Sequence, residues 1–182
     1  MTPAHHYDAV VIGSGQGGNP LARALAQSGR TTALVEREHV GGTCINEGCT
    51  PTKTMIASAR VAYLDRRSAD YGIADGPVTV DMIRVRQRKR EIVKSFRGGG
   101  ERRLEKAGVD LIRGEASFAG PKELEVRLSE GGTSRLAGDA VFINVGARPS
   151  IPPMRRSVST TSQSCSSRNC KAVSPLGAVW TS

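Results

Sequence analysis

YDAVVIGSGQGG, at residues 7–18, decides the fold of this chain: a short apolar run ends in a glycine-rich turn. The run at 7–13 predicts a buried parallel strand. Residues 21–28, closed by Gly29, predict a helix, and residues 31–36 predict a second strand. Strand, glycine turn, helix and strand within about 30 residues form a βαβ unit with two parallel strands.

The turn fits the pattern G-x-G-x-x-G through Gly13, Gly15 and Gly18. Gly13 permits a tight turn, Gly15 lets the backbone approach a pyrophosphate, and Gly18 lets the helix pack closely on the strand. Glu36 follows Gly18 by 18 residues and ends the second strand, where a carboxylate can accept hydrogen bonds from ribose hydroxyls. An acid at this position argues against a 2′-phosphate. The turn predicts a dinucleotide site and leaves FAD and NAD as alternatives.

The remaining pattern predicts an α/β domain, Rossmann-like, with a parallel sheet and an added β segment. The helix at 54–64 is expected to pack against the sheet, and the helix at 80–106 is expected to be interrupted by the glycines at 98–100. Four β segments are expected, at 109–112, 116–118, 123–128 and 140–144.

Residues 41–53, GGTCINEGCTPTK, place Cys44 and Cys49 five positions apart beside a predicted helix N-terminus. The helix dipole there favours a thiolate and lowers a cysteine pKa. Such a pair can close a small, reducible ring. Buried unreactive thiols and half of a zinc site are the alternatives, but no second pair of ligands with suitable spacing lies nearby, so no metal ligands are predicted.

This loop matches G-G-T-C-x-N-x-G-C-x-P-x-K, and the chain resembles the class I pyridine nucleotide-disulfide oxidoreductases, the group of dihydrolipoamide dehydrogenase, mercuric reductase and glutathione reductase. The resemblance implies that the glycine turn binds FAD and that Cys44 and Cys49 form a redox-active disulfide. Cys49 would lie next to the flavin, and Cys44 would attack the substrate. Electrons would pass from NAD(P)H through FAD to this disulfide, and then to a disulfide or a metal ion.

The resemblance also implies a set of cofactor contacts. Glu36 would bind the adenosine ribose, Thr43 and Lys53 would lie along the flavin, and the backbone near Ala116 would meet the adenine. Val145 replaces the threonine that the family commonly has before Gly146. The full set of candidate FAD-binding residues is Gly13, Gly15, Gly17, Gly18, Glu36, Gly42, Thr43, Lys53, Ala116 and Gly146. Two stretches, GQGGNPLARALA at 15–26 and PTKTMIASARVA at 51–62, resemble mercuric reductase-like members.

The resemblance ends near Pro153, so we expect an FAD-binding domain at 1–153 and a disordered or out-of-frame tail at 154–182. The tail is rich in serine and has no hydrophobic period. We expect the chain to stop before the NAD(P)H unit and the interface domain of its relatives, after a shift of reading frame. Cys165 and Cys170 repeat the spacing of the redox pair without its motif and are expected to be accidental.

Charge and hydropathy bear on the partners. The net charge of +9 attracts polyanions, and the run RVRQRKR at 84–90 keeps a nucleic-acid binder as an alternative, but aromatic residues for base stacking are scarce. No stretch approaches the roughly 18 apolar residues of a membrane helix, and we expect a cytoplasmic protein without membrane or nucleic-acid partners. The family resemblance implies a homodimer. A non-catalytic remnant that binds FAD is the other alternative to the oxidoreductase function.

Overall fold

A computed structural model of the chain describes residues 4–74 and 76–147. The proposed boundary near Pro153, the tail at 154–182 and its two cysteines lie outside the described residues. In chain order the elements are β1 (His5–Ile12), α1 (Gly18–Gln27), β2 (Thr32–Glu36), α2 (Gly42–Asn46), α3 (Cys49–Arg66), a 3-10 turn (Ser68–Tyr71), α4 (Met82–Lys106), β3 (Asp110–Gly120), β4 (Glu123–Leu128) and β5 (Thr133–Ile143).

The strands form a parallel sheet that is closed by an antiparallel meander. β1 pairs in parallel with β2 on one side and β5 on the other, and β2 pairs in parallel with β3. β4 pairs antiparallel with both β3 and β5, which closes the ring. The α/β fold with an added β segment is therefore confirmed.

Two of the predicted β segments are one strand. The segments expected at 109–112 and 116–118 belong to β3, which pairs with β2 through residues 110–113 and with β4 from Gly114 onward. Gly114 is buried where the strand changes partner, and a side chain there would clash with the carbonyl of Arg127. The absence of a side chain allows the strand to continue. The segment expected at 140–144 is likewise part of a longer strand, β5, which ends at Ile143.

The sheet is buried on both faces, which explains the unbroken apolar run of β1. Ala9 and Val11 point to one face and pack with Leu25 of α1 and Leu104 of α4. Val10 points to the other face and belongs to the cluster between the parallel strands and the meander, whose members are Val10, Ala33, Val35, Leu124, Val126 and Leu136. Strands covered on both faces show continuous hydrophobicity rather than alternation.

The prediction that the helix at 54–64 packs against the sheet is wrong. This helix, α3, contacts α4 and α2 instead, and only its residues Pro51 and Thr54 are buried. Ile56 is 60% exposed and Val61 is 68% exposed. The reason is that α4 occupies the layer next to the sheet, while the apolar side chains of α3 do not form one continuous stripe.

The prediction that glycines interrupt α4 is also wrong, since the helix runs unbroken through residues 98–100. It begins after Asp81, whose carboxylate accepts hydrogen bonds from the N–H groups of Ile83 and Arg84 at 2.8 and 3.1 Å. Gly100 is buried, and a Cβ atom there would lie 3.2 Å from Cγ1 of Val40. Packing of α4 on the domain therefore overrides the low helix propensity of glycine.

Gly99 offers a direct test of this account. A Cβ atom at this position would make ordinary contact with the Arg103 side chain at 3.6 Å. We expect Gly99→Ala to raise the free energy of unfolding by about 0.5–1 kcal/mol, since it removes backbone freedom from the unfolded chain. Gly100→Leu should lower it, because the side chain would meet Val40. Urea unfolding followed by circular dichroism measures both changes, and destabilisation by Gly99→Ala would contradict the account.

Candidate functional site

The glycine turn joins the end of β1 to the start of α1 with no space for side chains at two positions. Gly13 has a φ of +96°, and a side chain there would overlap the backbone carbonyl of Asn144. A side chain at Gly18 would overlap the carbonyl oxygen of Gly13. The first turn of α1 therefore lies directly against the end of β1.

The turn contains backbone N–H groups that are unpaired among the described residues. Gly17 caps α1 without a side-chain hydrogen bond, and the first turn of the helix carries no acidic residue. Within the described part of the chain, the N–H groups of Gly15, Gln16 and Gly17 donate to no acceptor. Among the described residues, the only atom within 4 Å of a Cβ built at Gly15 is Nδ2 of Asn144, at 3.6 Å. Unpaired donors at a helix N-terminus, together with the helix dipole, fit an anionic group such as a pyrophosphate.

Asn144 completes the turn and was not predicted as a site residue. It follows β5, and its N–H donates to the carbonyl of Ile12 at 2.8 Å. Its side-chain amide lies beneath the glycines, with Nδ2 donating to the carbonyl of Gly13 at 3.5 Å and Oδ1 2.8 Å from a Cβ built at Gly17. The signal was available, since a polar residue at the carboxyl end of a parallel strand lies where such sheets bind ligands.

Glu36 is held at the turn by Ser14, which is fully buried. The Ser14 hydroxyl and N–H both donate to Oε2 of Glu36, at 2.5 and 3.0 Å, and the N–H of Glu38 donates to Oε1 at 2.9 Å. These bonds use three of the roughly four positions at which a carboxylate can accept. Ser14 occupies a variable position of the glycine pattern, so no sequence signal indicated this role.

The cysteine loop lies against the glycine turn. Gly41 and Gly42 adopt left-handed φ values of +106° and +60°, and a Cβ atom at Gly42 would lie 2.8 Å from Cα of Gly15. The N–H of Gly41 donates to the hydroxyl of Ser14 at 3.1 Å and to its carbonyl at 3.2 Å. The loop that carries the thiols therefore begins next to the predicted pyrophosphate position.

The two cysteines lie on different helices. Cys49 is the first residue of α3, whereas Cys44 lies inside the short α2 that precedes it. Both are unbonded thiols; Cys44 is half-buried and Cys49 is exposed. Thr43 and Lys53 are exposed beside them.

The pKa of Cys44 is raised, contrary to the lowering that a helix N-terminus would produce. The main cause is a hydrogen bond with the Cys49 side chain, and desolvation adds to it. The positive charge of Lys53 acts in the opposite direction and lowers this pKa. The hydrogen bond therefore favours the protonated thiol of Cys44 over its thiolate.

The other two candidate contacts lie at neighbouring parts of the sheet. Ala116 is in β3 opposite Val126, three residues after Arg113, which pairs with Glu36. Gly146 is exposed three residues after the end of β5 and has a φ of +72°. Among the described residues no group of ligating side chains could hold a metal ion, and no helix in the described ranges is long and apolar enough to cross a membrane.

A family model described as pyridine nucleotide-disulphide oxidoreductase matches residues 7–178. The chain belongs to this family. The matched range continues beyond Pro153, where the motif-level resemblance ends, and the boundary between residues 153 and 154 stays a prediction.

Two relatives in the family are dihydrolipoyl dehydrogenases. The protein from Chlorobaculum parvum is 34% identical over 147 residues, which cover 81% of this chain and 31% of the relative. The protein from Acholeplasma laidlawii is 37% identical over 149 residues, 81% of this chain and 43% of the relative. The chain thus spans less than half of the length of each of these oxidoreductases.

Solved structures agree with this placement. The HOCl-induced flavoprotein disulfide reductase RclA from Escherichia coli, in its Cu(II) complex, is 36% identical with a TM-score of 0.68, and the match covers 82% of this chain and 30% of RclA. A second structure of RclA from the same organism gives 35% identity and a TM-score of 0.65. The described fold is therefore similar to that of part of RclA.

The contact between the thiols generates a prediction about reactivity. In Cys49→Ala the hydrogen bond that raises the pKa of Cys44 is lost, so we expect Cys44 to react with iodoacetamide at lower pH than in the wild type. Lys53→Gln should shift the profile in the opposite direction, because it removes the cation that favours the thiolate. Peptide mass spectrometry after timed alkylation measures each profile. An unchanged Cys44 profile in Cys49→Ala would contradict the proposed contact.

Proposed function

We propose that this chain forms the FAD-binding and redox-disulfide portion of a flavoprotein disulfide oxidoreductase. The observation that supports this most strongly is the junction of the two motifs, where Gly42 lies against Gly15 and Gly41 donates to Ser14. A dinucleotide bound at the glycine turn would therefore lie next to the loop that carries the two thiols.

The residues at the turn fit FAD. The unpaired N–H groups of the turn would bind its pyrophosphate, Glu36 would accept hydrogen bonds from the ribose, and Thr43 and Lys53 would lie along the flavin. Lys53, which already acts as a cation on Cys44, would favour negative charge near the thiols. When bound, FAD would supply the two-electron exchange between NAD(P)H and the cysteine pair.

The chain's own cysteines would carry out thiol–disulfide exchange. Cys44 would lose its proton and attack one sulfur of a small-molecule disulfide, forming a mixed disulfide and releasing the other sulfur as a thiolate that takes up a proton. Cys49 would then attack Cys44, closing the Cys44–Cys49 disulfide and releasing the second substrate thiol. The raised pKa of Cys44 predicts that the first attack becomes faster as pH rises.

The relatives guide the choice of substrate. The dihydrolipoyl dehydrogenases and RclA, a disulfide reductase, favour a small-molecule dithiol or disulfide. A metal-ion substrate is the second candidate and rests on the resemblance of residues 15–26 and 51–62 to mercuric reductase-like members. Action as a homodimer and a cytoplasmic location are further proposals drawn from the family resemblance and the sequence.

Flavin binding can be tested by one substitution in the turn. We expect the purified chain to show the visible spectrum of bound flavin and Gly18→Ala to abolish it, because the added methyl group overlaps the carbonyl of Gly13. Gly99→Ala, in α4, is the matched control and should retain flavin. A colourless, folded wild-type protein would overturn the FAD assignment, and salt-sensitive DNA binding by that protein would favour the polyanion alternative.

The redox pair is tested by thiol titration before and after reduction. We expect peptide mapping to find a reducible Cys44–Cys49 disulfide in the wild type and none in Cys44→Ser, which should still bind flavin. Reduction of this disulfide by NAD(P)H, in the presence of flavin, would support the complete electron path. Bound flavin without any NAD(P)H-dependent reduction would favour the non-catalytic remnant.

A further inference from the structure

The side chain of Asn46 fixes the short helix that carries Cys44. Asn46 is the last residue of α2, and its Nδ2 donates to three carbonyls, those of Gly42 at 2.9 Å, Val40 at 3.2 Å and His39 at 3.3 Å. These carbonyls belong to the segment that enters α2 and to its first turn. One amide group therefore ties the end of α2 back to its beginning, with Cys44 between them.

The oxygen of the same amide is held by Arg97 of α4. Nε and Nη2 of Arg97 both donate to Oδ1 of Asn46, at 3.0 and 2.8 Å. A guanidinium can only donate and a carbonyl can only accept, so this arrangement permits a single orientation of the amide. Arg97 holds the oxygen, and the nitrogen must then face the carbonyls of the loop.

α4 is itself firmly anchored beside the loop. Val93, one turn before Arg97, and Gly100, nearly one turn after it, are both buried. Gly100 packs closely on Val40, whose carbonyl is one of the three that Asn46 binds. Arg97 thus extends from a well-packed part of α4 to the short helix α2, which carries Cys44.

We propose that Arg97 is a positioning residue for the redox pair: through Asn46 it holds α2 so that Cys44 meets Cys49. The need for such a device follows from the placement of the thiols on separate helices, because a disulfide forms only within a narrow range of Cβ separations. Gly41 precedes α2, Gly42 is its first residue, and Gly48 lies two residues after its end. The N-terminus of α2 has no capping side chain. The Arg97–Asn46 contact supplies the restraint that these glycines do not.

A different hypothesis is that Arg97 acts on Cys44 directly through its charge. This hypothesis predicts a change of the Cys44 pKa in the opposite direction. Among the described residues, Cys49 and Lys53 are the groups whose charges act on Cys44, and Arg97 is not one of them. Removal of a nearby cation would raise the pKa of Cys44. Loss of positioning would instead separate Cys44 from Cys49 and lower it toward the ordinary value of a thiol.

The test compares Arg97→Ala with Arg102→Ala, which removes the same charge from an exposed position of the same helix. We expect Arg97→Ala, but not Arg102→Ala, to move the alkylation profile of Cys44 to lower pH. In glutathione redox buffers we also expect roughly a tenfold shift from the Cys44–Cys49 disulfide toward the dithiol, the size expected for loss of one hydrogen bond to a charged group. Arg97→Lys, which keeps the charge without the fork of two donors, should give a smaller shift in the same direction.

A double-mutant cycle shows whether Arg97 acts through Asn46. In an Asn46→Ala background, Arg97→Ala should have no further effect on either readout. Additive effects, a raised pKa of Cys44, or equal effects of Arg97→Ala and Arg102→Ala would each overturn the proposal. Urea unfolding of every variant identifies any that fail to fold. If Arg97→Ala is one of them, Arg97→Lys replaces it in the comparison with Arg102→Ala.

This inference rests on the redox role proposed above, and the two can fail separately. A wild-type chain that binds no flavin, or that never forms the Cys44–Cys49 disulfide, would overturn the proposed function. The alkylation profile of the dithiol requires neither flavin nor a disulfide, so it still tests the link from Arg97 to Cys44.

Discussion

The close approach of α1 to the end of β1 is the constraint on which the rest of the site depends. Only a hydrogen atom fits at Gly18 against the carbonyl of Gly13, and Gly13 itself has a φ of +96°. Next to this packing, the N–H groups of Gly15, Gln16 and Gly17 have no acceptor among the described residues, and the Asn144 amide donates to the carbonyl of Gly13. Without this junction, the helix dipole and the unpaired donors would not meet at one point.

The turn then determines where the thiols lie. Ser14, inside the turn, binds both the carboxylate at the end of β2 and the backbone of Gly41, so one buried hydroxyl connects the predicted ribose contact with the cysteine loop. Gly42 brings that loop into contact with Gly15. Each step is a short polar or backbone contact, which means that a displacement of the turn would be transmitted to Cys44.

Patterns within short stretches of sequence predicted most of this arrangement. The features that these patterns did not predict depend on contacts between residues far apart in the chain. The glycine turn, the βαβ unit and the cysteine loop each lie within a short window, where spacing predicts structure. Asn144 meets Gly13 across 131 positions and Arg97 meets Asn46 across 51, and no periodicity reports such contacts. Hydrophobic spacing also predicted that α3 is a helix without indicating that α4 would separate it from the sheet.

The hydrogen bond between the thiols gives the two cysteines different roles, with Cys44 as the donor and Cys49 as the acceptor. The Cys49 sulfur, in the first residue of α3, accepts the hydrogen bond that raises the pKa of Cys44. This hydrogen bond disfavours the thiolate of Cys44, so the reactivity of Cys44 depends on the position of α2 as well as on pH. The backbone contacts that hold α2 to the glycine turn and the Asn46 amide that holds it to α4 therefore act on the chemistry of a sulfur atom that neither of them touches.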